Sequence, residues 1–372
     1  MLIRRIETFP LYYPIPQPYG DANGIKSYRS AFFIRITTDD GIQGWGECED
    51  WLPTLQKGFE DRIIPYLTGK NANDRTQIVR QIAKWHARSA SAVSMALTEI
   101  FAKSAGKSVC ELWGGKQRDK VPLYASFQSY SERSDWVKHS LHLIEAALNA
   151  GFSSFKVKIG GKTLEEDRMH ILEVQALLRE KGQLALDANG SYDYATAIRL
   201  LPLLEQWSNL LWLEEPLPIE QTHNYNLLRQ RMFLPIAGGE DMKLASDFLP
   251  LLTGHALDIV TPDLLHLNGM DEYWGTLHLA CNFGARISPH AYDGALTRLY
   301  AILAQACLVS WCKMKPDTID PVEWDVMDNP FTELLPLRPV NGEVTVPGGL
   351  GIGIELDVER MNAYLWDGSR YR

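Results

Sequence analysis

Charged residues recur in this chain at intervals of about one βα unit, each at the end of a short apolar run. Lys158 ends FKVK, Asp187 ends LALD, Glu214 follows LWL and Glu240 follows IAGG. Asp263 ends DIVTPD, His290 ends ARISPH and Glu323 sits in PVEWD. The intervals are 29, 27, 26, 23, 27 and 33 residues, which a strand, a helix and two loops would fill. In an eightfold βα barrel the C-terminal ends of successive strands converge on one mouth. The spacing therefore predicts one site: three carboxylates for a metal, a lysine on one side, and a histidine with its aspartate on the other.

The rest of the chain agrees with a barrel plus a second unit. Its 372 residues exceed the roughly 250 of a typical barrel. Residues 1–50 read as strands, with a turn at Asp39-Asp40-Gly41. From about 58 to 113 the pattern is helical, and SAVSMALTEIFAKSAGK is small enough along its length to pack tightly. From 121 onward eight apolar runs alternate with amphipathic segments: VPLYASF, SFKVKIG, LALDAN, LWLEEP, PIAGGE, LDIVTPD, ARISPH and PVEWDV. Such alternation argues for parallel strands with crossover helices. In LEEDRMHILEVQALLREKG, Met169, Leu172 and Ala176 share one stripe, Ile171, Val174 and Leu178 the next, and Gly182 is the expected stop. Pro202 in TAIRLLPLLEQW predicts a kink or a break. The expected domains are an α+β cap over 1–120, a barrel over 121–340, and a tail over 341–372 that packs back on the cap.

Composition narrows the partners. A net charge of −9 with no basic run argues against nucleic acid. No apolar stretch is long enough to span a bilayer, and MLIRRIETFPLYY lacks the apolar centre and small-residue cleavage site of a signal peptide. The five cysteines are odd in number, scattered and without zinc spacing, as expected of free thiols in the cytoplasm. A homo-oligomer is the expected assembly.

Oxygen ligands from Asp187, Glu214 and Glu240 suit a hard ion such as Mg²⁺, with Mn²⁺ a workable substitute. One such acid alone would be explained by the helix N-terminus that follows it, but three at near-equal spacing favour a metal. Lys156 and Lys158 lie two apart in a strand and share a face. Facing the interior beside another cation or a metal, such a lysine has a lowered pKa and becomes a usable base. The alternative is an edge strand with solvated lysines. Asp263 can fix the tautomer of His290, and His266 is a second basic group at the mouth.

These residues resemble the enolase superfamily and, within it, the mandelate racemase subgroup of the mandelate racemase/muconate lactonizing enzyme family. KVK, DAN, EEP, GGE, PDLLHLNG and SPHAYDG stand in family order and spacing, and ALTEIFAKSAGKSVCELWGG resembles the link from cap to barrel. The resemblance implies an α/β fold: a modified (β/α)7β TIM barrel with an α+β N-terminal cap completed by the C-terminal tail. It assigns Asp187, Glu214 and Glu240 to the metal, with Glu215 excluded. Lys158 matches the base on one face, next to Lys156, and His290 with Asp263 the dyad on the other. Glu323 matches a carboxylic acid that hydrogen-bonds the substrate carboxylate. His266 stands where the muconate lactonizing subgroup carries a second catalytic lysine, which disfavours that subgroup. Glu99 and Ser108 stand where the linking motif usually has Asp and Pro.

The chemistry expected is abstraction of a proton next to a carboxylate. A β-hydroxyl would then be expelled to give a 2-keto-3-deoxy acid; without one, reprotonation on the far face would invert the centre, as in a racemase or epimerase. The cap segment Tyr19 to Gly24, with Lys26, Tyr28 and Arg29, is polar and suits an acid sugar. Tyr19, Asp21, Lys26, Asn189, His266 and Trp51 form the expected substrate-binding set, Trp51 either stacking on a sugar face or packing the cap. A barrel that binds a ligand without turnover is the alternative of another class.

Overall fold

A computed structural model of the chain describes residues 1–314, 317–369 and 371. Strands β1 (Ile3–Asp21), β2 (Gly24–Thr38) and β3 (Gln43–Cys48) form an antiparallel sheet in that order. The helix Ala87–Ser104 lies on this sheet, almost wholly buried. Its closeness depends on Gly44 and Gly46 of β3, where a Cβ would come within 2.1 Å of the Ala96 carbonyl oxygen and 1.8 Å of that of Ala92. The small residues of both segments thus serve one contact.

Eight parallel strands follow: β4 (Lys120–Ser126), β5 (Ser154–Lys158), β6 (Gln183–Asp187), β7 (Leu210–Glu214), β8 (Ile236–Gly238), β9 (Ile259–Val260), β10 (Arg286–Ile287) and β11 (Val322–Asp325). Their order is β10-β9-β8-β7-β6-β5-β4-β11, with a helix after each of the first seven, so the fold is a (β/α)7β barrel. Each of the eight apolar runs falls on one of these strands, and β4, β6 and β7 begin one residue before theirs. Among the described residues no backbone ladder joins β10 to β11. Side chains bridge the seam instead: Ser288 Oγ donates to the Pro321 carbonyl (2.7 Å), and Gln305 Nε2 to those of Ile287 (2.6 Å) and Asp320 (2.9 Å). Tyr124, Ala185, Trp212, Ala237 and Ile259, each from a different strand, pack inside the barrel as its apolar floor.

The tail returns to both units. Strand β12 (Glu343–Thr345) pairs antiparallel with the start of β4. The Tyr12 N–H donates to the Tyr364 carbonyl, the Trp366 N–H donates to the Pro10 carbonyl, and Tyr371 packs into the cap core. Two local expectations differ from the structure. The helix Tyr194–Leu204 is not broken at Pro202, which lies exposed in its last turn, where few intrahelical bonds remain to be lost. The helix Leu164–Leu178 ends four residues before Gly182, and of its two stripes only Ile171, Val174 and Leu178 are buried. Met169 and Leu172 are half exposed. Among the described residues no helix is long and apolar enough to cross a membrane.

Candidate active site

Every strand of β5, β6 and β7 ends on a charged residue aimed at the same mouth. Asp187 and Glu214 are neighbours in the β6–β7 register, and Lys158 is paired with Asp187 in the β5–β6 register. The chain then turns sharply. Asn189 and Glu215 hold positive φ angles of 45° and 36°, uncommon for residues with a side chain. Gly239 (φ +109°) precedes Glu240, and a Cβ there would meet the Phe248 ring at 2.3 Å. These tight turns bring one oxygen each of Asp187, Glu214 and Glu240 to within 4.8 Å of one another.

Two buried lysines face this group. Lys156 Nζ lies 3.1 Å from each of Asp187 Oδ2, Glu214 Oε1 and Glu323 Oε1, over the ring of Tyr124. Lys158 Nζ lies 2.6 Å from Asp187 Oδ2. Burial opposes the charge of either ammonium, but Glu214 and Glu323 beside Lys156, and Asp187 beside Lys158, outweigh it and raise both pKa values. The carboxylates around each lysine thus oppose the lowering expected of a cation beside another cation or a metal. Asp187 answers in kind: burial opposes its ionisation, yet Lys158 and Lys156 hold it well below the usual carboxylate range. Burial pushes Glu214 up to about 7 against the pull of Lys156.

On the other flank, His290 Nδ1 lies 2.6 Å from Asp263 Oδ2, and Asp263 Oδ1 accepts from the Leu265 N–H (2.7 Å). His290 Nε2 faces Glu240 Oε2 (3.3 Å) and Glu323 Oε2 (3.5 Å). Burial disfavours the imidazolium, but Glu323, Glu240 and Asp263 raise its pKa well above the ordinary value. Glu323 accepts from Ser126 Oγ (2.6 Å) and from the Ala291 N–H (2.9 Å). Its burial opposes charge, but Lys156 and His290 bring it down to about 2. Beside these two cations Glu323 favours its ionised form.

The expected substrate-binding residues divide. Asp21, Lys26 and Trp51 line a hollow of about 510 Å³ above the mouth, with Glu49, Asp50 and Arg88. Trp51 also packs on Tyr371 at 4.6 Å, so both of its expected roles are compatible with its position. Asn189 Nδ2 donates to Glu240 Oε1 (3.1 Å). His266 Nδ1 lies 2.8 Å from the Glu240 carbonyl and 3.1 Å from Asp241 Oδ1; burial lowers its pKa, but Asp241 and Asp263 raise it to about 9. Tyr19 needs correction. Its hydroxyl donates to the Asp328 carbonyl and accepts from Arg29 Nε, so both capacities are used inside the protein. Lys26 is likewise held by Asp293 at 2.6 Å. A larger cavity, about 930 Å³, is lined by Gln183 and Asn209 at the strands' opposite ends, away from this chemistry.

Ser126, Trp212 and Asp325 were not picked out from sequence. Trp212 Nε1 donates to Glu214 Oε2 (2.9 Å). Trp212 and Asp325 lie two residues from Glu214 and Glu323, so the strand period of two was the available signal. Glu99 and Ser108 have structural work: Glu99 accepts from the Trp45 N–H, and Ser108 caps the helix Val109–Leu112.

A capped (β/α)7β barrel with carboxylates, lysines and a His–Asp pair at one mouth defines a class of capped-barrel enzymes. Comparison with known proteins agrees. Residues 6–114 match the mandelate racemase/muconate lactonizing enzyme N-terminal domain, and residues 140–361 the enolase C-terminal domain-like family. The chain belongs to the mandelate racemase/muconate lactonizing enzyme family of the enolase superfamily, and is a lyase or an isomerase of that superfamily. It is similar to the D-galactarolactone cycloisomerase of Agrobacterium fabrum, with 29% identity over 98% of this chain and 99% of the relative. It is similar to the arabinonate dehydratase of Saccharolobus solfataricus, with 29% identity over 95% of this chain and 96% of that protein. Its fold matches the crystal structure of a racemase from Streptomyces coelicolor A3(2) with bound magnesium (TM-score 0.85, 23% identity, 98% of this chain and 100% of that one).

Proposed function

We propose that this protein abstracts the proton next to the carboxylate of an acid sugar and expels the β-hydroxyl, giving a 2-keto-3-deoxy acid. The observation that carries this reading is the placement of Lys158 and of the His290–Asp263 pair on different flanks of one carboxylate cluster. The similarity to a dehydratase and a cycloisomerase of sugar-derived acids supports the substrate class.

The residues present fit a divalent cation, proposed to be Mg²⁺, or Mn²⁺ in its place. Asp187, Glu214 and Glu240 would hold it. One oxygen each of Asp187, Glu214 and Glu240 lies within 4.8 Å of the others, and Asp263 and Glu323 add two more carboxyl groups around His290. Glu240 Oε2 is buried and accepts no hydrogen bond from any described residue, lying 3.3 Å from His290 Nε2, so its lone pairs can serve a cation. When bound, the cation offsets the second charge that a carboxylate acquires on losing its α-proton.

The chain's own groups supply the rest. Lys158 or His290, in its neutral form, takes the α-proton, according to which face of the substrate carries it; a cation at Asp187, Glu214 and Glu240 would weaken the carboxylates' hold on the proton of either group. His290, held as imidazolium by Asp263, is placed to protonate the departing hydroxyl when Lys158 is the base. A substrate carboxylate beside Glu323 would raise the proton affinity of that group, which lets it become a hydrogen-bond donor to the substrate. Asp21, Lys26, Asn189, His266 and Trp51 are proposed to meet the hydroxyl-bearing remainder. Bases on two faces also permit inversion by a racemase or epimerase when the substrate lacks a β-hydroxyl.

The test is a screen of mono- and diacid sugars, with Mg²⁺ and with a chelator, scored for 2-keto acids as semicarbazones. Metal-dependent keto acid formation supports the reading. Inversion at the α-carbon with no keto product would replace it with the racemase.

A further inference from the structure

Arg29 spends its guanidinium on loops from the far end of the chain. It is 2% exposed and lies in the cap strand β2. Its Nη1 donates to Asp293 Oδ1 (2.6 Å). Its Nη2 donates to the Tyr292 hydroxyl and to Asp325 Oδ2, both at 2.9 Å, and its Nε to the Tyr19 hydroxyl (2.8 Å). The guanidinium also stacks 4.7 Å from the centre of the Tyr292 ring. Lys26, three residues earlier, donates to the same Asp293 oxygen.

The two loops so gripped carry reacting groups. Tyr292 and Asp293 follow His290 by two and three residues, and Asp325 follows Glu323 by two. Asp325 is fixed from its own side, accepting from Asn329 Nδ2 and from the Met327 N–H, both at 2.9 Å. The turn 290–294 is held at Ala291 by Glu323, and at its next two residues by the cap. Three of the four Arg29 hydrogen bonds leave the cap.

We infer that Arg29 is a positioning residue: seating the cap hairpin on the barrel locks the 290–294 turn and thereby sets the His290 imidazole between Asp263 and the mouth. This deepens the proton-transfer reading of His290 and rests on it. A planar guanidinium that reaches two carboxylates with different nitrogens and stacks on a ring is suited to the task because it fixes direction as well as charge. Glue of no directional consequence would not need Tyr292 and Asp325 in the same grip.

The test needs no substrate, so its failure is separate from failure of the proton-abstraction reading. The Mg²⁺-loaded wild-type protein is compared with Arg29→Met and with Lys26→Met, whose side chain is 32% exposed and whose loss the fold should survive. One readout is amide hydrogen exchange of the peptide spanning 288–296 against a peptide spanning β5. The other is the far-downfield proton expected for the 2.6 Å His290–Asp263 hydrogen bond, assigned by its absence in His290→Asn. Arg29→Met should speed exchange in 290–294 by about tenfold or more, leave β5 within about twofold, and broaden or shift the imidazole signal. Lys26→Met should show the same pattern at about threefold, and decides the matter if Arg29→Met does not fold. Exchange that rises equally everywhere, or an imidazole signal and a turn unchanged in the folded variants, would overturn the inference.

Discussion

Lys156→Met is the most informative perturbation of the cluster. The lysine is fully buried, and its Nζ touches Asp187, Glu214 and Glu323 at 3.1 Å each. At an effective dielectric of about 20, each contact is worth roughly 5 kcal/mol of gross attraction. Desolvation cancels much of that, so the gross figure overstates the net effect. Removing one partner of a buried ion pair nevertheless costs about 3–5 kcal/mol, because the other charges stay behind unpaired. Methionine keeps the length of the stem, so cavity effects are small. In chelator, Lys156→Met should therefore lose about 3–5 kcal/mol by urea denaturation, a large part of ordinary stability. In excess Mg²⁺ the deficit should shrink, since a cation held by the same carboxylates stabilises the folded state by mass action. A midpoint equal to wild type in chelator would refute the reasoning, because the carboxylates would then not depend on Lys156 for their charge balance.

Replacing Asp187, Glu214 or Glu240 with Ala should abolish turnover and Mg²⁺ binding by calorimetry while circular dichroism stays native; normal metal binding by any one variant would remove it from the ligand set. Asp263→Asn should lower kcat far more than it raises KM, since an amide does not favour the imidazolium as a carboxylate does; unchanged turnover per folded molecule would sink the dyad. Glu47 of β3 accepts from the N–H groups of Ala295 and Leu296 at the start of the helix Ala295–Cys307, yet burial pushes its pKa up to about 7 from 4.5. The native state then holds that proton more tightly than the unfolded chain. Its contribution is full below about pH 4.5 and is lost as the pH rises through about 7, by at most about 3 kcal/mol. The melting temperature of Glu47→Gln should accordingly fall less between pH 5 and 8 than that of wild type, and parallel curves would contradict the shift.

The barrel was legible because each strand is a short apolar run ending at the mouth. The helix Leu164–Leu178 shows where pattern fails: both of its stripes looked apolar, and only packing decides that Ile171 and not Leu172 is buried. The cap residues show a second limit. Tyr19 and Arg29 read as hydroxyl-binding groups because their natural partners are invisible locally. Asp293 lies 264 residues beyond Arg29, and Asp325 lies 296 beyond it. A polar loop facing a mouth and a polar loop clamped to a mouth have the same composition.

The central claim is that Lys158 and His290 exchange the α-proton of a carboxylate from different faces. It is tested most directly by incubating wild type, Lys158→Ala and His290→Asn with Mg²⁺ and acid sugars in heavy water and following deuterium at the α-carbon. The expected result is incorporation by wild type, loss on one face in Lys158→Ala and loss on the other in His290→Asn. Exchange in both variants indistinguishable from wild type would contradict it.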